Sequence, residues 1–292
     1  MRRTIAACLV LSPALLCQEP EKVVSGQLGF DVTSQYFFRG LLQENQGIIF
    51  QPRVELGYGL YDAEGDDGTL RSLDLRFGLW NSLHDGPTGG AGGIWYESDF
   101  YVEVAGKIGE RFGASAGYWV YSTPNGTASF SKGAAPVEEL VFRVDYDDRG
   151  MWFDSIESGL RPWAVLAIEV DGQRDVPSGG HVGTYLELGV EPSFVIGKLG
   201  DGDLTLSFPS KIGLSLGDYY ERPQANGGND DFFGYLDVGA EVYAPLTFLP
   251  ARMGPWDGYA ALHLLLLGDN NEARNGGDVS EFVFSFGMST TF

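Results

Sequence analysis

Ser72-Leu73-Asp74-Leu75-Arg76-Phe77-Gly78-Leu79 alternates polar and apolar residues without a fault. A period of two places the leucines and Phe77 on one face of an extended strand, with Asp74 and Arg76 on the other. The same rhythm returns over 99–104, 139–145, 185–191, 235–242 and 282–292. In seven segments the apolar register, stepping by two through 73–79, 100–104, 140–144, 186–190, 236–242, 262–266 and 282–288, carries no charge. The opposite register and its flanks carry Asp74, Arg76, Asp99, Glu103, Glu139, Arg143, Asp145, Glu187, Glu191, Asp237 and Glu241. In a membrane barrel a charge facing lipid costs about 2–4 kcal/mol at the midplane, while the interior tolerates it. A soluble β-sandwich shows the same alternation with its apolar face inward. These segments are long for a sandwich, whose strands average about five or six residues.

Composition agrees with strands. The 292 residues include 42 Gly, 14 Tyr and 19 Phe. Gly and aromatics are poor helix formers, whereas strands and tight turns use them. Lys and Arg total 19 against 40 Asp and Glu, a net charge of −21. This excludes a nucleic-acid partner, whose phosphates need a basic face. The mean hydropathy, −0.08, is that of a soluble protein, so pattern has to decide.

Twelve segments fit the alternation: 25–38, 48–61, 69–80, 94–105, 111–121, 137–146, 161–171, 181–196, 203–216, 232–244, 257–267 and 281–292. The connections 82–93, 122–136, 217–230 and 268–280 are long and polar; 106–110 and 198–202 are short. With both termini on one side, the short turns share that side and the long loops take the other, as in outer-membrane barrels. The connections 147–160 and 244–256 are long where short ones are expected; each has apolar residues and a Trp, suited to the inner lipid interface. The reading is an all-β, antiparallel up-and-down transmembrane β-barrel of about 12 strands, over 25–292, in contact with outer-membrane lipid, with both termini periplasmic.

Residues 1–17, with Arg2, Arg3 and the apolar run from Ile5 to Leu16, read as a secretory signal peptide; 18–24 would be a short periplasmic segment. Cys8 and Cys17 both fall in the leader. A lipoprotein would keep Cys17, but Leu16 is bulkier than the small residue such a site needs. Aromatic clusters near strand ends (Tyr36-Phe37-Phe38, Trp95-Tyr96, Tyr118-Trp119, Tyr219-Tyr220, Phe232-Phe233) suit interfacial girdles. The last strand places Phe284, Phe286, Met288 and the terminal Phe292 in one register, the form of terminus the barrel-assembly machinery reads.

The stretch Gln27 to Gly40 contains Ser34, Tyr36, Arg39 and Gly40 in the spacing S-x-Y-x-x-R-G. It resembles the opening strand of the TorF-family porins, exported bacterial proteins of poorly defined function. Pro52 to Tyr58 is compatible with that family's second strand. The specific resemblance covers about residues 26–60. It implies an outer-membrane barrel and, more loosely, a pore, and brings no catalytic residues.

Candidate function rests on the interior charges. Arg39 would be a pore-mouth charge, or a guanidinium fixing the first loop by pairing with Glu55 or Asp31. Arg53, Arg76 and Arg143 would face Glu55, Asp74, Asp99, Glu103, Glu139, Glu187, Glu191, Asp237 and Glu241. Acidic rings attract cations; the same residues could instead form a salt-bridge network that fills the barrel. Barrels of about eight strands are filled and of about sixteen hold water, so at twelve both remain open. The acid excess and the resemblance favour a porin-like channel for small hydrophilic solutes, with mild cation preference. The alternative is a closed barrel with a structural or loop-mediated binding role.

A barrel lipid-modifying enzyme comes third. Its imidazole bases could only be His84, His181 or His263. Gly113-Ala114-Ser115-Ala116-Gly117 and Gly213-Leu214-Ser215-Leu216-Gly217 match G-x-S-x-G, but that motif needs a strand-to-helix turn, and both lie in expected strands. The acidic runs 63–68 and 268–272 lack EF-hand spacing. No cofactor or metal is implied.

Overall fold

The computed structural model describes residues 24–63, 69–90, 92–126, 136–152, 158–171, 181–221 and 229–292. The expected leader lies outside them, as does the 18–24 segment apart from Val24. β1 (Val24–Thr33) leads to a short hairpin, β2 (Tyr36–Phe38) and β3 (Leu41–Glu44), and then to β4 (Ile49–Asp62) and β5 (Leu70–His84). A helical turn, α1 (Pro87–Gly90), precedes β6 (Trp95–Ile108), β7 (Phe112–Ser122), β8 (Val137–Tyr146) and β9 (Trp163–Asp171). Next come β10 (Thr184–Val190), β11 (Ser193–Leu199), β12 (Gly202–Ser207), β13 (Ser210–Gly217) and β14 (Phe233–Pro245). The chain closes with β15 (Trp256–Leu267), α2 (Asp269–Arg274) and β16 (Ser280–Thr291).

Neighbours pair antiparallel in chain order, β15 pairs with both β14 and β16, and β16 returns to β1. The β10–β13 and β11–β12 pairings continue one another across Pro192 and Pro209, whose missing N–H groups interrupt the ladder. A hydrogen bond from Phe208 N to Pro192 O (2.9 Å) bridges the gap. β10 with β11 and β12 with β13 are therefore two staves, and the ring is a closed 12-strand barrel. Followed once around, the registers return to β1 displaced by about 16 residues, which gives a tilt of about 45° and a backbone radius of about 12 Å.

The seven expected apolar registers all point outward. Phe77, Leu79, Phe100, Leu140, Phe142, Leu188, Val238, Leu262, Phe282, Phe284 and Phe286 are exposed. Tight turns at Gly109 (φ +59°) and Gly200 (φ +63°) share one end of the barrel with the termini. α1 and α2 lie at the other end, whereas the long 246–255 connection between β14 and β15 shares the turn end.

Two expectations need correction. The first strand does not run to residue 38 but stops at Thr33. Residues 36–44 turn into the barrel as the β2–β3 hairpin, closed by Arg39 (φ +49°) and Gly40 (φ +79°). Two consecutive positive φ values make the type I′ turn that matches strand twist. Gly40 is also required sterically, because a Cβ there would stand 2.8 Å from the Tyr235 ring. Second, most of the aromatic clusters are not a lipid girdle. Tyr36, Tyr96, Tyr219 and Tyr220 are buried inside, around the hairpin. Each carries a hydroxyl that buried partners satisfy, so the interior can take it where a purely apolar ring would face lipid. Trp95 and Phe232 do remain exposed.

Candidate functional site: a vestibule closed by an internal hairpin

The hairpin divides the interior. On one side Leu41 packs with Tyr185, Tyr219, Tyr220 and Tyr235; on the other Tyr36 packs with Ile49, Tyr96, Tyr121 and Val137. At the tip, Arg39 crosses to the far wall and donates to both carboxylate oxygens of Glu139 at 2.8 and 2.9 Å, and to the Tyr219 hydroxyl at 2.9 Å. Its guanidinium lies over Tyr185, 4.4 Å from the ring centroid, and over Phe38 at 4.8 Å. Its partner is therefore Glu139 and not Glu55 or Asp31. The hairpin carries Arg39 away from β1 and β4, the staves that bear those two acids.

The base of the hairpin is tied to the wall by a directed chain. Thr88 Oγ1 donates to Glu44 (2.6 Å), so it accepts from His84 Nδ1 (2.6 Å); His84 Nε2 then accepts from Ser82 Oγ (2.7 Å), which accepts from Gln51 Nε2 (3.2 Å). Burial pushes the Glu44 carboxyl up, but hydrogen bonds from Thr88 and from the backbone N–H groups of Gln46 and Asn45 outweigh it and hold it below its ordinary value. Ser82 and His84 are fully buried, so this Ser–His arrangement has no approach for a substrate.

Between hairpin and turn end lies a vestibule. Its inner chamber, about 470 Å³, is lined by Arg39, Trp80, Tyr101 and Trp119 among others. Two further spaces continue it to the turn-end mouth, sharing first Glu103 and then Arg143 and Asp145. Most of the expected interior residues distribute along this path, with Glu139, Asp237 and Glu241 outside its lining. Arg53 pairs with Asp31, and Tyr101 donates to Glu55. Asp99 lines the inner chamber, Asp74 the middle. Arg76 lies 3.4 Å from Glu103, and Arg143 2.9 Å from Asp145. Glu187 accepts from Tyr185 (2.5 Å) and Tyr235, and Glu191 lines the mouth. Asp237 and Glu241 hold His263 between them at 2.8 and 3.0 Å.

Sequence reasoning missed Lys211, 3.9 Å from Glu187, although its place in Ser210-Lys211-Ile212 sets it in the inward register. It also missed the buried Glu44, Glu97 and Glu169. Interior acids outnumber bases, and each of Arg39, Arg53, Arg76, Arg143, Lys211 and His263 has an acidic neighbour. Ser115 lines the vestibule from β7, and Ser215 donates to Asp230 (2.8 Å); neither stands at a strand-to-helix turn. At the loop end, His181, Asp218 and Glu221 offer three ligand atoms within 4.8 Å of one another. Accepting from His181 Nδ1, Glu221 raises the pKa of this exposed imidazole.

A closed ring with an exposed apolar outer face is stable only in lipid, because soluble proteins rarely expose apolar patches beyond a few hundred Å². The barrel sits in the bacterial outer membrane. Among solved structures, an outer-membrane channel from Pseudomonas putida F1 is 12% identical, with 97% of this chain and 100% of that one covered at a TM-score of 0.47. The NanC porin is 12% identical over 91% and 98%, TM-score 0.44. LpxR from Salmonella typhimurium is 9% identical over 90% and 99%, TM-score 0.40. The likeness concerns the barrel fold. No family model and no curated protein matches the chain.

Proposed function

We propose that the protein is a narrow, porin-like outer-membrane channel for small hydrophilic solutes, mildly cation-preferring, with the β2–β3 hairpin as its constriction. The vestibule carries this reading: ionisable groups line it from the turn end to the hairpin tip, nine acids with eight bases, and the buried Glu44, Glu97, Glu139, Glu169 and Asp237 make the wider interior acidic. A barrel that needed only filling would be served by apolar inward residues; charges kept in a water-accessible path select ions by sign. The chain belongs, on this reading, with the TorF-family porins. The Arg39-Gly40 pair of their opening motif forms the hairpin tip. Residues 1–17 direct export, and the barrel-assembly machinery reads the strand bearing Phe284, Phe286, Met288 and Phe292.

Planar-bilayer recording under a KCl gradient tests the channel. The expected result is small discrete steps with a cation-selective reversal potential, enlarged when residues 36–44 are replaced by a short Gly-Ser linker. A second reading, a closed barrel with a structural or loop-binding role, is favoured by the buried Arg39–Glu139 pair. Inserted protein that stays silent with and without the hairpin would select it.

A further inference from the structure

The hairpin end of the vestibule is unlike the rest of it. Tyr101 and Trp119 stack at 4.0 Å between centroids and 14° between planes, and Tyr121 continues the row at 6.1 Å. Tyr36 of the hairpin meets Trp80 at 5.4 Å, and Phe38 meets Tyr121 at 5.4 Å. Rings from β5, β6, β7 and the hairpin thus tile one patch of the inner chamber. Trp80, Tyr101 and Trp119 each remain partly exposed to it. The patch is rimmed by Glu55, Glu103 and Arg53.

We infer that this chamber is a recognition subsite for a neutral, polyhydroxylated ring, a mono- or disaccharide. Three observations converge. The volume, about 470 Å³, lies within the roughly 300–1,000 Å³ of small-molecule sites. Every cation lining the chamber already has an acidic partner, Arg39 with Glu139, Arg53 with Asp31 and Arg143 with Asp145, while Glu103 faces Arg76, Glu187 faces Lys211, Glu55 accepts from the Tyr101 hydroxyl, and Asp99 lines the same space. An anionic ligand would have to displace an acid from one of these cations, whereas hydroxyl groups can add to the lone pairs and N–H groups left over. Finally, the path from the turn-end mouth to the rings is lined by ionisable groups, so a ligand that takes it must be water-soluble, yet must carry an apolar face to lie on the rings. A pyranose has both, with axial C–H bonds on its faces and hydroxyls around its edge.

This assignment rests on the channel reading for its route but not for its test. Calorimetric titration of the refolded protein in detergent with glucose, sucrose and N-acetylglucosamine reads binding without conduction. The expected result is saturable heat from at least one of them, with affinity reduced about tenfold by Tyr101→Ala, the scale of one lost aromatic contact. Trp152→Ala, exposed at the turn end, should leave it unchanged. Should Tyr101→Ala not fold, Trp119→Tyr keeps a smaller ring and should weaken binding severalfold. No saturable heat from any of the three sugars overturns the subsite, as does binding indifferent to both ring variants. Saturable heat from choline but not from the sugars also overturns it, as an aromatic cation box. Binding by a barrel that is silent in bilayers keeps the subsite and removes the channel. Conductance without sugar binding does the reverse.

Discussion

Arg39, at the tip of an internal hairpin, meets Glu139 of the opposite wall through two parallel hydrogen bonds, in a setting where the carboxylate is wholly buried. Such a pair positions more than it stabilises, because desolvation offsets much of the attraction. Removing one partner is another matter, since it strands a buried charge. Arg39→Ala should therefore cost about 3–5 kcal/mol, seen as a lower urea midpoint in detergent. Arg39→Ala with Glu139→Ala should recover part of that loss. The single variant should also raise bilayer conductance, as the freed tip leaves the lumen. Unchanged conductance and midpoint would remove the hairpin from the role of constriction.

Leu75 and Asp74 test the facing of the wall. Leu75 shares its register with the exposed Phe77 and Leu79, and Asp74 lines the vestibule. Leu75→Arg places a cation against lipid at a cost of about 2–4 kcal/mol and should block insertion into vesicles. Asp74→Asn should fold with wild-type yield. Heat-modifiable migration on gels, which separates folded from unfolded barrel, reads both; equal yields would overturn the register.

The two faces were legible in the sequence because lipid imposes a rule on every second residue, and residues 73–79 or 282–288 obey it without exception. The hairpin was not. Tyr36-Phe37-Phe38 prolongs the alternation of β1, and nothing local marks Ser34 as the end of the stave. What turns the chain inward is long-range, the satisfaction of Tyr36 by Glu97 (3.0 Å) and of Arg39 by Glu139. The acids of the lumen could be placed from parity alone. Their partners could not, since pairing depends on shear, which staggers each stave against its neighbour. Arg39 illustrates the point: its sequence neighbours suggested Asp31 or Glu55, and its position in the ring gives Glu139.

Glu44 predicts how the hairpin responds to acid. Its carboxyl lies below its ordinary value in the folded state, held there by Thr88 and two backbone N–H groups against the opposing effect of burial. A depressed carboxyl contributes stability above its unfolded pKa and loses it as pH falls through the folded one. The anchor should therefore be complete at neutral pH and weaken below about pH 4.5, the ordinary glutamate value. Conductance should rise over that interval in the wild type. In Glu44→Gln it should start higher at neutral pH and lose most of the acid response. A wild-type trace flat from pH 7 to pH 3 would show that the anchor does not govern the opening.

Gly78 and Tyr101 face each other across β5 and β6, and a Cβ on Gly78 would fall within the Tyr101 ring. The same relation joins Gly213 with Tyr235 and Gly189 with Trp163. Part of the high glycine content is thus a set of seats that let large rings lie flat on the inner wall. Gly78→Ala should force Tyr101 upright, off Trp119 and away from Glu55, at the roughly 1–3 kcal/mol typical of overpacking. Tyr101→Ala alone should cost a similar amount through the lost stack and ring burial. Combined, the two should cost clearly less than their sum, because the methyl group then meets no ring. Urea unfolding of the four proteins closes this cycle, and strict additivity would mean that the glycine seat does nothing to place the ring.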